Sequence, residues 1–181
     1  MTALFQQTLD SEVINFDENL DCFIAKELKK QQVSISFAES LTGGLMSHRL
    51  NQLPGYESFF NTGILCKNAL NIMQFCGVSI QTIKKQGVVS RDVAIEMAVG
   101  LKQKSRSDIA IANTGISETA TTKYGSEVIG KVFIAFAFKS EKKVRHYQFF
   151  GSHQVIQLKT AQAAFMELKS WLINQQDTKI D

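Results

Sequence analysis

The stretch VSISFAESLTGG (residues 33–44) joins an alternating apolar run to a polar turn that ends in two glycines. Apolar side chains alternate with small ones over residues 33–37, and this alternation predicts a β-strand. A helical pattern begins after the turn, so the polar residues lie where a strand is followed by a helix. Either Ser40 is only the N-cap of that helix, or its hydroxyl is placed to act as a nucleophile or to bind a ligand.

The patterns on either side of this stretch predict helices that alternate with strands. Ser90 is a suitable N-cap for one of the helices, because its hydroxyl can accept a hydrogen bond from a free backbone N–H of the first turn. Together the elements predict a three-layer α/β sandwich with a mixed sheet, in a single domain over residues 1–181 with a weakly patterned extension at 1–16. Helices are predicted over 17–32, 41–52, 68–75, 79–86, 91–105 and 154–174, and strands over 33–38, 58–66, 108–115, 131–138 and 144–150.

Composition excludes several classes of function. The chain has 181 residues, 44% of them hydrophobic, and a net charge of +3 without a dense basic run, so we expect no nucleic-acid partner. No run reaches the ~18 apolar residues of a membrane span, and the first residues do not have the pattern of a signal peptide. The three cysteines are widely spaced, which favours free thiols over disulfides or a metal site. We therefore expect a cytoplasmic protein without membrane contact.

A second polar cluster, NTGISETATTKYG (residues 113–125), follows another predicted strand. Asn113, Thr114 and Gly115 are suited to binding a phosphate or a sugar hydroxyl, although hydroxyls in a turn can equally bond their own backbone. A nucleophilic Ser40 needs a base within hydrogen-bond reach. His48 lies eight residues further along the same predicted helix, about 12 Å away, and cannot serve. His146 and His153 could approach only through the fold.

Four segments in order resemble the C-terminal domain of the competence/damage-inducible protein CinA, a domain that also occurs alone as nicotinamide-nucleotide amidase. The resemblance extends from about residue 17 to residue 172, and the motif A-E-S-x-T-G-G makes it specific. The segments are FAESLTGGLMSHRLNQLPGYESFFNTG (37–63), GVVSRDVAIEMAVG (87–100), IANTGIS (111–117) and VFIAFA (132–137).

The resemblance implies a three-layer domain that hydrolyses the amide of nicotinamide mononucleotide to the acid and ammonia. It implies that Ser40 is the nucleophile and that nearby N–H groups hold the developing oxyanion. It also implies a small-molecule, nucleotide-like ligand, no metal, no cofactor and a homo-oligomeric assembly. The substrate-binding residues expected on this basis are Glu39, Thr42, Gly43, Gly44, Asn113, Thr114, Gly115 and His153.

The sequence departs from the family pattern at the residues that would activate the nucleophile. The family motif Y-S-N-x-x-K aligns with KNALNI (67–72), which places Lys67 at the tyrosine and Ile72 at the lysine. A shift of one residue gives CKNALN, which supplies neither. The glycine- and proline-rich loop after Thr-Gly-Ile is replaced by SETATTKYGSEV (117–128), and His153 and Gln157 stand where arginines are expected.

These departures predict a degraded site with weak or no amidohydrolase activity, since loss of a general base alone costs on the order of 10²–10⁴-fold. The alternative is an active amidase, on nicotinamide mononucleotide or a related amide, in which Lys67 has taken over as the catalytic base. His153 or Lys123 are further candidates for that role. Whether the chain is an enzyme is therefore left open by the sequence.

Overall fold

The computed structural model describes residues 18–118, 121–122, 125–126, 128–139 and 141–177. The predicted extension over 1–16 and Lys123 lie outside these residues. The helices are α1 (Glu18–Gln31), α2 (Leu45–Asn51), α3 (Ala69–Cys76), α4 (Ile80–Gln86), α5 (Arg91–Ser105) and α6 (His153–Asp177), with one 3₁₀ turn at Tyr56–Ser58. The strands are β1 (Ile35–Glu39), β2 (Phe60–Leu65), β3 (Ile109–Gly115), β4 (Thr121–Thr122), β5 (Gly125–Ser126), β6 (Lys131–Phe138) and β7 (Glu141–Gln148).

Five of the strands form one mixed sheet in the order β2-β1-β3-β6-β7, and β4 pairs with β5 in a separate two-stranded ladder. Strands β1, β2 and β3 are parallel, whereas β6 runs antiparallel to both β3 and β7. The carboxyl ends of β1, β2 and β3 therefore meet the start of β6 at one edge of the sheet, which we call the carboxyl edge. This edge brings the turn after β1 next to the end of β3.

Helices cover both faces of the sheet, so the predicted α/β sandwich with a mixed sheet is confirmed. On one face α1, α2 and α6 enclose a core that contains Leu28, Phe37 and Phe165. On the other face α3, α4 and α5 enclose a second core that contains Ile72 and Met97. A buried ion pair between Arg49 and Asp21 fixes α2 against α1, with the Arg49 Nε 2.9 Å from the carboxylate.

Several boundaries differ from the prediction, and two of the differences have a clear cause in the backbone. The helix expected from residue 41 begins only at Leu45, because Gly43 and Gly44 adopt positive φ angles of 63° and 101° that no α-helix contains. Strand β7 begins at Glu141, inside the expected turn, because Phe138 already pairs with Glu141 and the connection is only two residues long. By contrast, Ser90 caps α5 as predicted and accepts a hydrogen bond from the Val93 N–H.

Candidate active site

The turn between β1 and α2 is organised by the carboxylate of Glu39, which is completely buried. It accepts five hydrogen bonds: three from the N–H groups of Gly44, Met46 and Ser47, and two from the hydroxyls of Thr42 and Ser47. A carboxylate at this position satisfies the free N–H groups of the first helical turn and interacts favourably with the helix dipole. Glu39 therefore positions the turn, and both of its oxygens are used inside the protein.

Asn113 holds the same turn from the neighbouring strand β3. Its side-chain oxygen accepts from the N–H groups of Leu41 and Thr42 at 2.9 and 3.3 Å. Its amide nitrogen donates to the Thr42 hydroxyl at 2.8 Å, which in turn donates to Glu39. Because Glu39, Thr42 and Asn113 are all buried, they form a closed network beneath the turn.

Ser40 lies above this network and is half-buried. The N-cap interpretation of Ser40 is wrong, since the helix starts five residues later and its N-cap is Gly44. Within the described residues, no group forms a hydrogen bond with Ser40 Oγ. The main-chain N–H of Gly43 also has no acceptor among them, whereas the N–H groups of Leu41 and Thr42 are both taken by Asn113. The turn thus exposes one hydroxyl and one backbone donor with no internal role.

Lys67 reaches Ser40 from the end of β2. Its ammonium donates to the main-chain oxygen of Ser40 at 3.1 Å, and the lysine side chain is otherwise exposed. The preceding residue is fixed, because the Cys66 N–H donates to the Glu39 carbonyl at 2.9 Å. Lys67 therefore lies next to the candidate nucleophile, although it contacts the main-chain oxygen of that residue and not its hydroxyl.

Cys66 and Cys76 are both buried, with their sulfur atoms 3.6 Å apart. The hydrogen bond from Cys76 lowers the pKa of Cys66, although burial acts in the opposite direction. For Cys76 the same hydrogen bond and burial both raise the pKa. Cys66 occupies the tyrosine position in the shifted alignment, and Ile72 the lysine position in the unshifted one. Both are buried in the second core and cannot present a polar group to Ser40.

The last two residues of β3 contact different parts of the site. The Thr114 hydroxyl is buried and donates to the Val88 carbonyl at 2.9 Å, so it ties β3 to the loop before α5. A Cβ at Gly115 would lie 2.9 Å from Leu41 Cδ2 and 2.8 Å from the Lys131 carbonyl, so only glycine lets the turn pack this close to β3.

His153 is the first residue of α6 and lies at the same edge. It does not contact Ser40; its Nδ1 is 2.7 Å from Ser117 Oγ and 3.5 Å from a Glu118 carboxylate oxygen. Gln157, one turn further along α6, donates to the Leu41 carbonyl at 2.8 Å. The sequence did not indicate Ser117, because its partner His153 is 36 residues away and no local pattern predicts the contact.

A cleft of about 540 Å³ lies between the glycine turn and the start of α6, and its lining includes Gly43, His48, Gln154 and Gln157. No group of three or more His, Cys, Asp or Glu side chains suited to a metal ion occurs in the described part of the chain. Of the helices described, none has the length and apolar character needed to cross a membrane.

Comparisons with known proteins give the site a context. Residues 17–172 match the family model of the CinA C-terminal domain. A CinA-like protein of Geotalea daltonii is 35% identical over 158 residues, which are 86% of this chain and 38% of that protein. A putative competence-damage inducible protein of Acetivibrio thermocellus is 34% identical over 159 residues, with a coverage of 87% and 38%. The chain thus spans about two fifths of the length of these curated relatives.

Solved structures agree with the fold. The crystal structure of the competence or damage-inducible protein from Enterobacter asburiae superposes with a TM-score of 0.83 at 26% identity, covering 87% of this chain and 99% of that one. A CinA superfamily protein from Escherichia coli gives 0.80 at 25% identity, with a coverage of 91% and 92%. This chain therefore belongs to the CinA C-terminal domain family.

Proposed function

We propose that this chain binds a nicotinamide mononucleotide-like ligand at the carboxyl edge and hydrolyses its carboxamide far more slowly than an intact amidase, or not measurably. The observation that carries the proposal is the state of Ser40. Its hydroxyl has no hydrogen-bond partner among the described residues, and the Lys67 ammonium donates to its main-chain oxygen and not to its hydroxyl. A candidate nucleophile is thus present, but no described residue contacts its hydroxyl and could accept its proton.

The remaining geometry supports a residual reaction. Ser40 Oγ would attack the amide carbon, and the free N–H of Gly43 would stabilise the oxygen that becomes negatively charged. The amide nitrogen leaves as ammonia once it has gained the proton of the hydroxyl, and water then releases the acid from Ser40. Without a positioned base, the first proton transfer loses a factor on the order of 10²–10⁴.

Ligand binding is also expected to be weakened. His153 and Gln157 stand where the family resemblance leads us to expect arginines, and Gln157 Nε2 is already bonded to the Leu41 carbonyl. A neutral amide cannot replace the paired, charge-assisted hydrogen bonds of a guanidinium group with a phosphate. We therefore expect deamidation of nicotinamide mononucleotide at least about 10³-fold slower than in members with an intact motif. A cytoplasmic location and a homo-oligomeric state stay part of this proposal.

The test is ammonia release from nicotinamide mononucleotide, with ligand binding measured separately by calorimetry. We expect heat of binding together with very slow turnover, and no ammonia above background from Ser40→Ala. Ser170→Ala, an exposed serine on α6, is the matched control and should behave as the wild type. Turnover at an ordinary enzyme rate of about 1–10³ per second, lost in Ser40→Ala, would contradict the impaired site.

The alternative of an active amidase with a rearranged base is favoured by one observation, the position of Lys67 Nζ at 3.1 Å from the Ser40 carbonyl oxygen. Lys67→Arg separates the two functions of that side chain, because arginine keeps the charge but does not release a proton in proteins. Retained ammonia release in Lys67→Arg would speak for a purely electrostatic role. Loss of at least about 10²-fold in kcat, with binding unchanged, would identify Lys67 as the base.

A further inference from the structure

A second serine at the carboxyl edge has the partner that Ser40 lacks. Ser117 Oγ lies 2.7 Å from Nδ1 of His153. The other two histidines of the chain have no such contact among the described residues: His48 is exposed on α2, and the ring of His146 stacks on Phe133 with centroids 4.7 Å apart. A serine hydroxyl in hydrogen-bond contact with an imidazole is the arrangement that activates a nucleophile.

The backbone fixes both members of this pair. Ile116, the residue before Ser117, donates to the Lys131 carbonyl at 3.0 Å and accepts from the Gly130 N–H at 2.6 Å. His153 begins α6, and the preceding Ser152 accepts from the N–H groups of Val155 and Ile156. Ser117 follows an anchored residue and His153 starts a helix. The two side chains can therefore keep their contact without a large loss of conformational entropy.

The pair also has the other parts that an acyl transfer needs. The main-chain N–H groups of Ser117 and Glu118 have no acceptor within the described residues, and N–H groups of the nucleophile and of the residue after it commonly hold an oxyanion. The Glu118 carboxylate, 3.5 Å from the same ring nitrogen, would stabilise a protonated imidazole. The His153 side chain is 35% exposed, so a small molecule can reach it.

We propose that Ser117 and His153 form an acyl-transfer site of their own, separate from Ser40, which accepts small activated carboxylic esters. As Ser117 Oγ bonds to the carbonyl carbon, its proton passes to His153 Nδ1. The bond from that carbon to the alcohol oxygen then breaks, and the alcohol leaves with the proton from His153. Water, deprotonated by the same imidazole, hydrolyses the acyl-serine and restores both residues.

The experiment uses a fluorophosphonate probe on the full chain, because this reagent traps an activated serine whether or not a natural substrate is known. Oγ attacks phosphorus, the P–F bond breaks, and the proton goes to His153. Tandem mass spectrometry of the labelled wild type should place the adduct on Ser117. His153→Gln, which keeps a polar side chain but loses the base, should slow labelling by at least about 10²-fold. The control Ser170→Ala should label at the wild-type rate.

Three outcomes overturn the inference: no adduct, an adduct on Ser40 that persists in Ser117→Ala, or unchanged labelling in His153→Gln. The location of the adduct needs no variant, so a misfolded mutant does not block the test. An adduct on Ser40 would at the same time contradict the impaired site of the proposed function, because the reagent reports an activated serine. Absence of ammonia release from nicotinamide mononucleotide would leave the Ser117 result unaffected, since the two assays report on different serines.

Discussion

The two ends of the parallel strands β1 and β3 carry the same kinds of polar residue, but the hydrogen bonding of these residues differs between the ends. At the amino end, Asp108 accepts from the Ser34 N–H at 2.8 Å and from the Ser34 hydroxyl at 2.7 Å, and its own N–H donates back to that hydroxyl at 3.0 Å. Ser36, inside β1, and Ser107, the residue before Asp108, share a hydrogen bond in the interior. The hydroxyls of Ser34, Ser36 and Ser107 thus all have partners within the protein.

At the carboxyl edge the polar groups fall into two layers. The lower layer is the buried network of Glu39, Thr42 and Asn113, in which each side chain is paired. The upper layer contains Ser40 Oγ and the Gly43 N–H, which have no partner among the described residues. A protein can leave polar groups unpaired where solvent or a ligand reaches them. The difference between the two ends therefore distinguishes the structural serines of the amino end from Ser40.

The largest effect is expected from Glu39→Gln. The glutamine amide replaces one acceptor oxygen by an NH₂ group, so at least two of the five donors that face Glu39 lose their acceptor. Leaving buried donors unpaired, together with the loss of a charge, should lower the free energy of unfolding by about 3 kcal/mol or more. Urea titration measures this, and Glu141→Gln on an exposed strand position is the control. A loss below about 1 kcal/mol would mean that the lower layer does not hold the turn.

The fold was largely predictable, because the alternation of apolar residues reports burial directly. The errors occurred where the backbone departs from regular geometry, at the left-handed pair Gly43–Gly44 and at the two-residue turn before β7. At both places the local backbone conformation determines where the helix or strand begins. The apolar pattern does not report that conformation.

The sequence could predict which residues lie at the carboxyl edge, but not how they contact one another. The two polar clusters of the sequence placed Glu39, Thr42 and Asn113 at the ends of predicted strands, but the sequence did not show that they bond to one another. Pairs such as Ser117–His153 and Lys67–Ser40 bring together residues far apart in the chain, so only the three-dimensional structure reveals them. The roles of these residues toward a substrate stay predictions.

Ser36→Ala should have an intermediate effect, because the hydroxyl is completely buried and bonded to Ser107. Ser107 Oγ keeps Ser105 and Asn61 as partners, at 2.9 and 3.2 Å. The loss is therefore close to that of one ordinary hydrogen bond, about 1 kcal/mol in the free energy of unfolding. Urea unfolding monitored by circular dichroism is the measurement. A neutral result would show that the amino end is not stabilised by its serine contacts.

Asp108 makes the stability contributed by the amino end depend on pH. Partial burial by itself raises the pKa of this carboxyl, but hydrogen bonds from Ser34 and the charge of Lys102 bring the pKa below its ordinary value. The carboxylate therefore stabilises the fold above the pKa of the unfolded chain, and this contribution disappears as the pH falls through the lower pKa of the folded state. Because the group is exposed and screened by solvent, we expect less than about 1 kcal/mol.

The comparison of the wild type with Asp108→Asn isolates this group from other carboxylates. At pH 7 the variant should be slightly less stable. The difference in unfolding free energy should begin to shrink near pH 4, the ordinary pKa of an unfolded carboxyl, and should close as the pH falls through the lower pKa of the folded state. Thermal unfolding at a series of pH values provides the data. A difference that stays constant from pH 7 to pH 3 would exclude the carboxylate charge as its source.

Ser40→Ala should have the smallest effect on stability. Its comparison with Ser36→Ala tests the difference between the two ends of β1 most directly. Ser36 and Ser40 are four residues apart on the same strand and its extension, and the same hydroxyl is removed from each. Since Ser40 Oγ has no hydrogen bond with any described residue and is half-buried, its removal should change the free energy of unfolding by no more than about 0.5 kcal/mol. Any loss of ligand binding or ammonia release in this variant then reports on function and not on folding. If Ser40→Ala instead destabilises the protein as much as Ser36→Ala does, the hydroxyl has a structural role, and Ser40 would no longer differ from the serines of the amino end.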